Sequence, residues 1–251
     1  MPTRTLALFV SLLALAGCAT AHGVTRVGTV DVHTFRRDWA NAHLVVSGDR
    51  LLLVDSGLAA NAEALERDIV DAGFDPSRLS AIVLTHGHAD HAGGARHFQR
   101  RFGTRIVAGS GDREMLASGH NEALCPTSDD ARGRLAEDQA ATFEPTVADV
   151  WIDAPTSLAE LTGIEGRIVP LEGHTHGSLV VTLEGAVIVG DLLRGEVFGS
   201  GAERHFYMCD LPDNDRDVHA LLTELAPTAQ SFFVGHFGPL TREAVRARFD
   251  D

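Results

Sequence analysis

The chain has 251 residues with 44% apolar content, enough for one large domain or two small ones with a proper core. It carries 21 basic against 35 acidic residues, a formal charge of −14, and every basic residue is arginine. The lack of lysine excludes Schiff-base chemistry, and an acidic surface repels phosphate backbones, which argues against a nucleic-acid substrate.

The N-terminus has the form of a secretory signal: Arg4, then an apolar run over residues 6–16 that is too short to cross a bilayer as a stable helix. Leu15-Ala16-Gly17-Cys18 resembles a bacterial lipobox, which implies lipidation of Cys18 and a lipid anchor. That places the protein in the bacterial cell envelope, as an outer-membrane lipoprotein facing the periplasm. Ala19-Thr20-Ala21 also reads as a cleavage site that would release a soluble periplasmic or secreted protein. Residues 1–21 are therefore expected to be leader and tether, and residues 22–251 one domain. Cys125 and Cys209 would then sit in an oxidising compartment. Spacing alone cannot bring their Cα atoms within bridging distance, so free buried thiols stand beside a disulfide and no bridge is predicted.

In chain order, the pattern predicts strands at 27–32, 42–47 and 51–55, with a Gly48-Asp49 turn, as an antiparallel meander. Ala64, Leu65, Ile69 and Val70 recur at the helical period within 60–72, and Gly73 closes that helix. A buried strand at 81–84, a helix over 91–102 and a strand at 104–108 make a parallel strand, helix, strand unit, so the sheet is mixed. Residues 112–146 weaken into short helical pieces, with an insertion around 125–130 placed to overhang a site as a lid. Strands resume at 166–170, 179–183 and 186–190, the last two joined by a Glu184-Gly185 turn. After an irregular stretch over 192–213 come a helix at 216–225, a strand at 231–234 and a helix at 241–249. Two meanders, each covered by helices, predict an α/β fold: a four-layer αββα sandwich of two mixed sheets with helices on the outer faces.

Thr85-His86-Gly87-His88-Ala89-Asp90-His91 packs four potential metal ligands directly behind the apolar run Ala81-Ile82-Val83-Leu84. An offset of two between His86 and His88 suits extended backbone and not a helix face. Asp90 and His91 are adjacent and diverge unless the chain turns, which Gly87, Gly93 and Gly94 make easy. Such a loop can serve one metal with some side chains and a second metal with the others, and mixed imidazole and carboxylate donors suit zinc, iron or manganese. Three later segments each end a strand or turn in a ligand-type side chain preceded by glycine: Gly173-His174, Gly190-Asp191 and Gly235-His236. Asp55 stands in Val54-Asp55-Ser56-Gly57, a turn directly after a predicted strand. His176 is an unassigned neighbour, and His22, His33, His43, His97, His120, His205 and His219 show no ligand spacing.

These motifs, in this order over roughly residues 27–250, resemble the metallo-β-lactamase fold superfamily of binuclear metal hydrolases. The resemblance implies that His86, His88 and His174 hold the first metal, Asp90, His91 and His236 the second, and that Asp191 bridges them. Two zinc ions are then expected, with iron or manganese as other options, activating a bridging hydroxide that attacks an ester, thioester, lactone or amide carbonyl of a small substrate. Asp90 would orient the hydroxide and pass on its proton.

A bridging carboxylate favours glyoxalase II-like thioesterases and lactonases over true β-lactamases. Quorum-quenching lactonases, however, carry a tyrosine three residues after the bridge, where this chain has Arg194, and only fifteen residues follow His236, too few for the helical C-terminal domain of a glyoxalase II. Arg194 is a candidate for recognising a substrate carboxylate. Two other readings stand: a mononuclear iron dioxygenase-type relative, and a non-catalytic metal-binding envelope lipoprotein. Oligomeric state is not legible in the sequence.

Overall fold

The computed structural model describes residues 20–250. Cys18 and nearly all of the expected leader lie outside the described residues. The first sheet takes seven strands in chain order: β1 (Thr20–Val27), β2 (Val30–Arg37), β3 (Ala40–Ser47), β4 (Arg50–Val54), β5 (Leu79–Val83), β6 (Ile106–Gly109) and β7 (Val150–Ile152). β1 to β4 are antiparallel, and β4 to β7 are parallel. The second sheet draws on β8 (Thr156–Ser157), β9 (Arg167–Pro170), β10 (Leu179–Leu183) and β11 (Ala186–Gly190), and is completed by later strands. A short ribbon, β12 (Arg194–Gly195) with β13 (Ala202–Glu203), intervenes before β14 (Ser231–Val234) and β15 (Leu240–Thr241). The resulting order is β15-β14-β11-β10-β9-β8, with β11 and β14 parallel.

Helices α1 (Ala62–Asp71), α2 (Ala89–Ala92), α3 (Ala95–Phe102), α4 (Arg113–Ser118), α5 (Asp129–Gln139), α6 (Leu158–Thr162), α7 (Leu211–Ala220) and α8 (Arg242–Phe249) complete the chain. The central strands are apolar on both faces because both faces are covered. Val45, Val54, Val83, Val181, Ile188 and Phe233 meet in a core between the sheets. Their alternates face outward: Leu44, Leu53 and Ile82 against Leu65 and Ile69 of α1 and Phe98 of α3, and Val187, Phe232 and Val234 against Val218 of α7 and Val245 of α8. This is the expected four-layer sandwich of two mixed sheets.

Local departures from the sequence reading have local causes. The strand expected at 27–32 is a hairpin corner, with Val27 opposite Val30 and Gly28 at φ 55° in the two-residue turn. The helix expected at 216–225 starts at Leu211, where the Asp210 side chain caps the backbone N–H of Asp213 at 2.9 Å, and runs on as a wider turn over Leu221–Leu225. Residues 150–162 add β7, β8 and α6, too short to carry a periodic signal.

A buried polar clamp joins the two sheets at the edge where the site forms. Asn41 Nδ2 donates to the carbonyls of Val234 at 2.8 Å and Phe237 at 2.7 Å, and His43 lies 3.1 Å from the Val234 carbonyl and 3.0 Å from the Thr34 hydroxyl. Burial pushes the His43 imidazole down to about 4, with Asp55 only partly offsetting it. The folded value lies below the ordinary 6.5, so the unfolded chain binds more protons between those values and the stability His43 contributes is lost as pH falls through that window. Across it the loss is about 3 kcal/mol. Urea unfolding of wild type and His43→Gln at matched metal loading should show their stability gap shrinking by that amount between pH 7 and pH 4; a gap that stays constant contradicts the account.

Candidate metal centre

The loop between β5 and α2 enters the core, leaving His86 and His88 nearly inaccessible and His91 fully buried in α2. His174 follows β9, Asp191 follows β11 and His236 follows β14, and each is also buried. All seven candidate ligands therefore meet at one edge of the sandwich. The donor atoms of His86, His88 and His174 lie within 4.8 Å of one another, as do those of Asp90, His91 and His236. Asp191 Oδ2 sits between the two sets, 3.8 Å from Nε2 of His86 and of His174 and 3.3 Å from Nε2 of His91 and of His236.

The sequence folds this way because buried acceptors fix each loop. Asp55, at φ 62°, accepts from the Thr85 backbone N–H at 2.7 Å and the Thr85 hydroxyl at 2.8 Å, and lies 2.9 Å from His91 Nδ1. That last bond turns His91 Nε2 toward Asp191. Asp38 and Trp39 both take positive φ in the turn before β3, and the Trp39 carbonyl holds His236 Nδ1 at 3.0 Å. Asp112 ties the two halves of the first set together: it accepts from the Gly87 N–H at 2.7 Å, the Thr175 hydroxyl at 2.9 Å and the Gly177 N–H at 2.9 Å.

The donor set suits divalent cations. Nε2 of His86 and of His91, together with Asp191 Oδ1, are buried and have no hydrogen-bond partner. Burial pushes His88 down to about 4 and His86 and His174 well below their ordinary value, so these imidazoles are in the neutral form a metal requires. In the other set burial works against the charged imidazoles, yet Asp191 and Asp90 raise His236 to about 10 and lift His91 well above its ordinary value. Burial would raise the carboxyls, but the imidazoles around Asp191 and Asp90 hold both below the usual carboxylate range. Buried carboxylates thus demand positive charge here, and a cation would replace the protons of His91 and His236.

The centre floors a cavity of about 650 Å³, which His88, Asp90, Asp191 and His236 line from below. Trp39, Phe206 and Phe237 give the cavity an aromatic wall, and α5 adds Asp129, Asp130, Arg134 and Asp138 to the lining, with Arg134 4.7 Å from the Phe206 ring centroid. The segment over 112–146 thus overhangs the site as expected. It is pinned there by the Cys125–Cys209 disulfide, by Thr127 N–H donating to Phe206 O at 2.8 Å, and by the Tyr207 hydroxyl donating to Asp138.

A sequence model of the metallo-beta-lactamase superfamily matches residues 39–241. The chain belongs to the metallo-beta-lactamase superfamily. Among curated relatives, the hydroxyacylglutathione hydrolase of Anaeromyxobacter dehalogenans is 30% identical over 151 residues, 60% of this chain and 45% of that protein. The hydroxyacylglutathione hydrolase GloC of Haemophilus influenzae is 26% identical over 190 residues, 73% of this chain and 78% of that one. The chain spans about half the length of most of the hydroxyacylglutathione hydrolases it matches. Among solved structures, a subclass B3 metallo-beta-lactamase of Bradyrhizobium japonicum superposes with a TM-score of 0.61 at 15% identity, covering 89% of this chain and 81% of its own. A metallo-beta-lactamase of Cronobacter sakazakii gives 0.60 at 22%, covering 82% and 74%. At these identities the structures show the fold alone.

Against this metallo-beta-lactamase frame, Arg194 lies off the cavity: its guanidinium stands 4.0 Å from the Phe206 ring centroid and donates to the Gly195 carbonyl. Arg134 is the arginine that lines it. His176 is exposed and 3.8 Å from Glu172. The two cysteines, left open above, are bridged. His205, set aside for lack of ligand spacing, is buried against Asp191. No local pattern announces it, since it sits in an irregular stretch between β13 and α7.

Proposed function

We propose that this chain is a binuclear zinc hydrolase acting on an ester, thioester, lactone or amide carbonyl in a small substrate with an apolar, neutral or cationic body. The observation that carries the reading is the convergence of seven buried or half-buried ligands on the floor of an aromatic-walled cavity. Two divalent cations held there would supply an electrophile for the carbonyl oxygen and acidify a water to a pKa of about 7. His86, His88 and His174 would hold one ion and Asp90, His91 and His236 the other, with Asp191 between. The complete second set favours two ions over one, and so hydrolysis over a mononuclear iron dioxygenase.

Asp90 is the ligand side chain most open to the cavity, and its neighbours keep it ionised. It is therefore placed to accept a hydrogen bond from the attacking water and orient it. Trp39, Phe206 and Phe237 would bury the apolar part of the substrate.

The relatives' names bring thioester hydrolysis to this chain as one candidate. The cavity wall carries Asp38, Asp129, Asp130 and Asp138 against Arg134, which disfavours a substrate rich in carboxylates or phosphates. An envelope location with a lipid anchor at Cys18 belongs to the same reading, and the disulfide supports it because such bonds persist in oxidising compartments.

A panel of matched esters, thioesters, lactones and amides, each in anionic, neutral and cationic form, tests the proposal on zinc-loaded protein. At least about tenfold higher kcat/KM is expected for neutral or cationic members than for anionic ones, a difference of about 1.4 kcal/mol in transition-state stabilisation. No turnover above the His88→Ala background across the panel overturns the hydrolase reading, and preference for anions overturns the charge reading.

A further inference from the structure

We propose that His205 is an eighth ligand of the centre, binding a divalent cation on the side of His86, His88 and His174; this rests on the binuclear reading above. The imidazole is only 4% exposed, and its Nε2 lies 3.0 Å from Asp191 Oδ2. Nε2 nevertheless has no hydrogen-bond partner of acceptable direction, the same condition found at Nε2 of His86 and His91. The donor atoms of His174, Asp191 and His205 lie within 4.8 Å of one another, and the His205 ring packs 4.9 Å from that of His174 and 5.2 Å from that of His236. Donors bound about 2.1 Å from one ion stand about 3.0 Å apart at a right angle and about 3.4 Å apart at a tetrahedral one. The separation of His205 Nε2 from Asp191 falls in that range.

The far side of the ring repeats a pattern shared by two other ligands. His91 Nδ1 is held by Asp55 and His236 Nδ1 by the Trp39 carbonyl, in each case turning Nε2 inward. His205 Nδ1 lies against the Tyr207 backbone, 3.2 Å from its carbonyl oxygen and 3.3 Å from its N–H, which donates to Nδ1 in the other tautomer. With Nδ1–H on that carbonyl, the Nε2 lone pair faces a carboxylate oxygen at 3.0 Å. A cation between the two resolves that repulsion. An ordinary core histidine would instead spend Nε2 on an aligned acceptor, as His43 does on Val234.

Two consequences follow. With His205, the first ion has five protein donors within reach, more than a four-coordinate zinc site uses, so the centre tolerates ions that prefer five or six donors. The segment carrying His205 also carries Phe206 and Tyr207, and the disulfide at Cys209 ties it to Cys125 in the loop before α5, so cation binding at His205 braces the cavity wall.

Cobalt(II) titration of metal-stripped protein provides the test, using visible absorption and bound-metal stoichiometry for wild type, His205→Ala, His205→Gln and His88→Ala, with circular dichroism confirming fold. Both His205 variants are expected to bind cobalt at least about tenfold more weakly at the first site and to show altered d–d bands, while His88→Ala loses that site. Wild-type spectra and affinities in folded His205 variants, with the site lost in His88→Ala, overturn the proposal and leave the binuclear reading intact. Wild-type cobalt binding in His88→Ala overturns both.

Discussion

Gly235→Ala is expected to abolish most metal binding and to lower kcat/KM at least about a hundredfold, the scale of loss when a reacting group moves by about 1 Å. A Cβ at that position would stand 2.1 Å from Asp191 Oδ1 and 2.5 Å from His91 Cε1. Neither neighbour can step aside easily. Asp191 is enclosed by imidazoles, and His91 is pinned through Nδ1 to Asp55. The glycine backbone is fixed as well, donating to the Gly190 carbonyl and accepting from the Asn41 N–H, both at 2.8 Å. Something must shift by more than 1 Å, at a stability cost of about 1–3 kcal/mol. Metal content, steady-state kinetics and thermal unfolding of the variant check this. Wild-type metal content and turnover would mean that the site does not close around Gly235 as described.

His88→Ala is expected to keep the fold and lose the first metal, with turnover falling on the order of a thousandfold or more, about 4 kcal/mol in the barrier. The imidazole lies at the cavity floor with Nδ1 3.1 Å from His174 Nε2, so its loss opens space onto the cavity and does not leave a void in either hydrophobic core. Stability of the metal-free variant should stay within about 1 kcal/mol of metal-free wild type. Metal analysis, unfolding curves and the substrate panel report the three effects separately. Retained activity in a folded, metal-deficient variant would remove the metal from the proposed chemistry.

Strands such as Ala186–Gly190 and Ser231–Val234 were legible because continuous apolar runs bounded by turn residues have few other solutions. The first metal loop was legible because four sequence-local residues carry most of its chemistry, and Asp55 because its turn resembles one of the family's. His205 was not, since its placement depends on where an irregular segment is pulled by a disulfide and by hydrogen bonds from Thr127, about 80 positions away. Arg194 lies off the cavity for the reverse reason. Nearness to Asp191 in sequence suggested the cavity, but the chain turns into β12 and the guanidinium packs on Phe206.

Ligand types, their order and the double meander follow from local pattern alone: side-chain chemistry and the periodicity of burial are properties of short segments. Which of thirteen histidines converge on one site, whether two cysteines meet, and what charge lines the cavity depend on side chains brought within a few ångströms from opposite sheets. Those distances are set by how the two sheets and α5 pack, and no short segment contains that information.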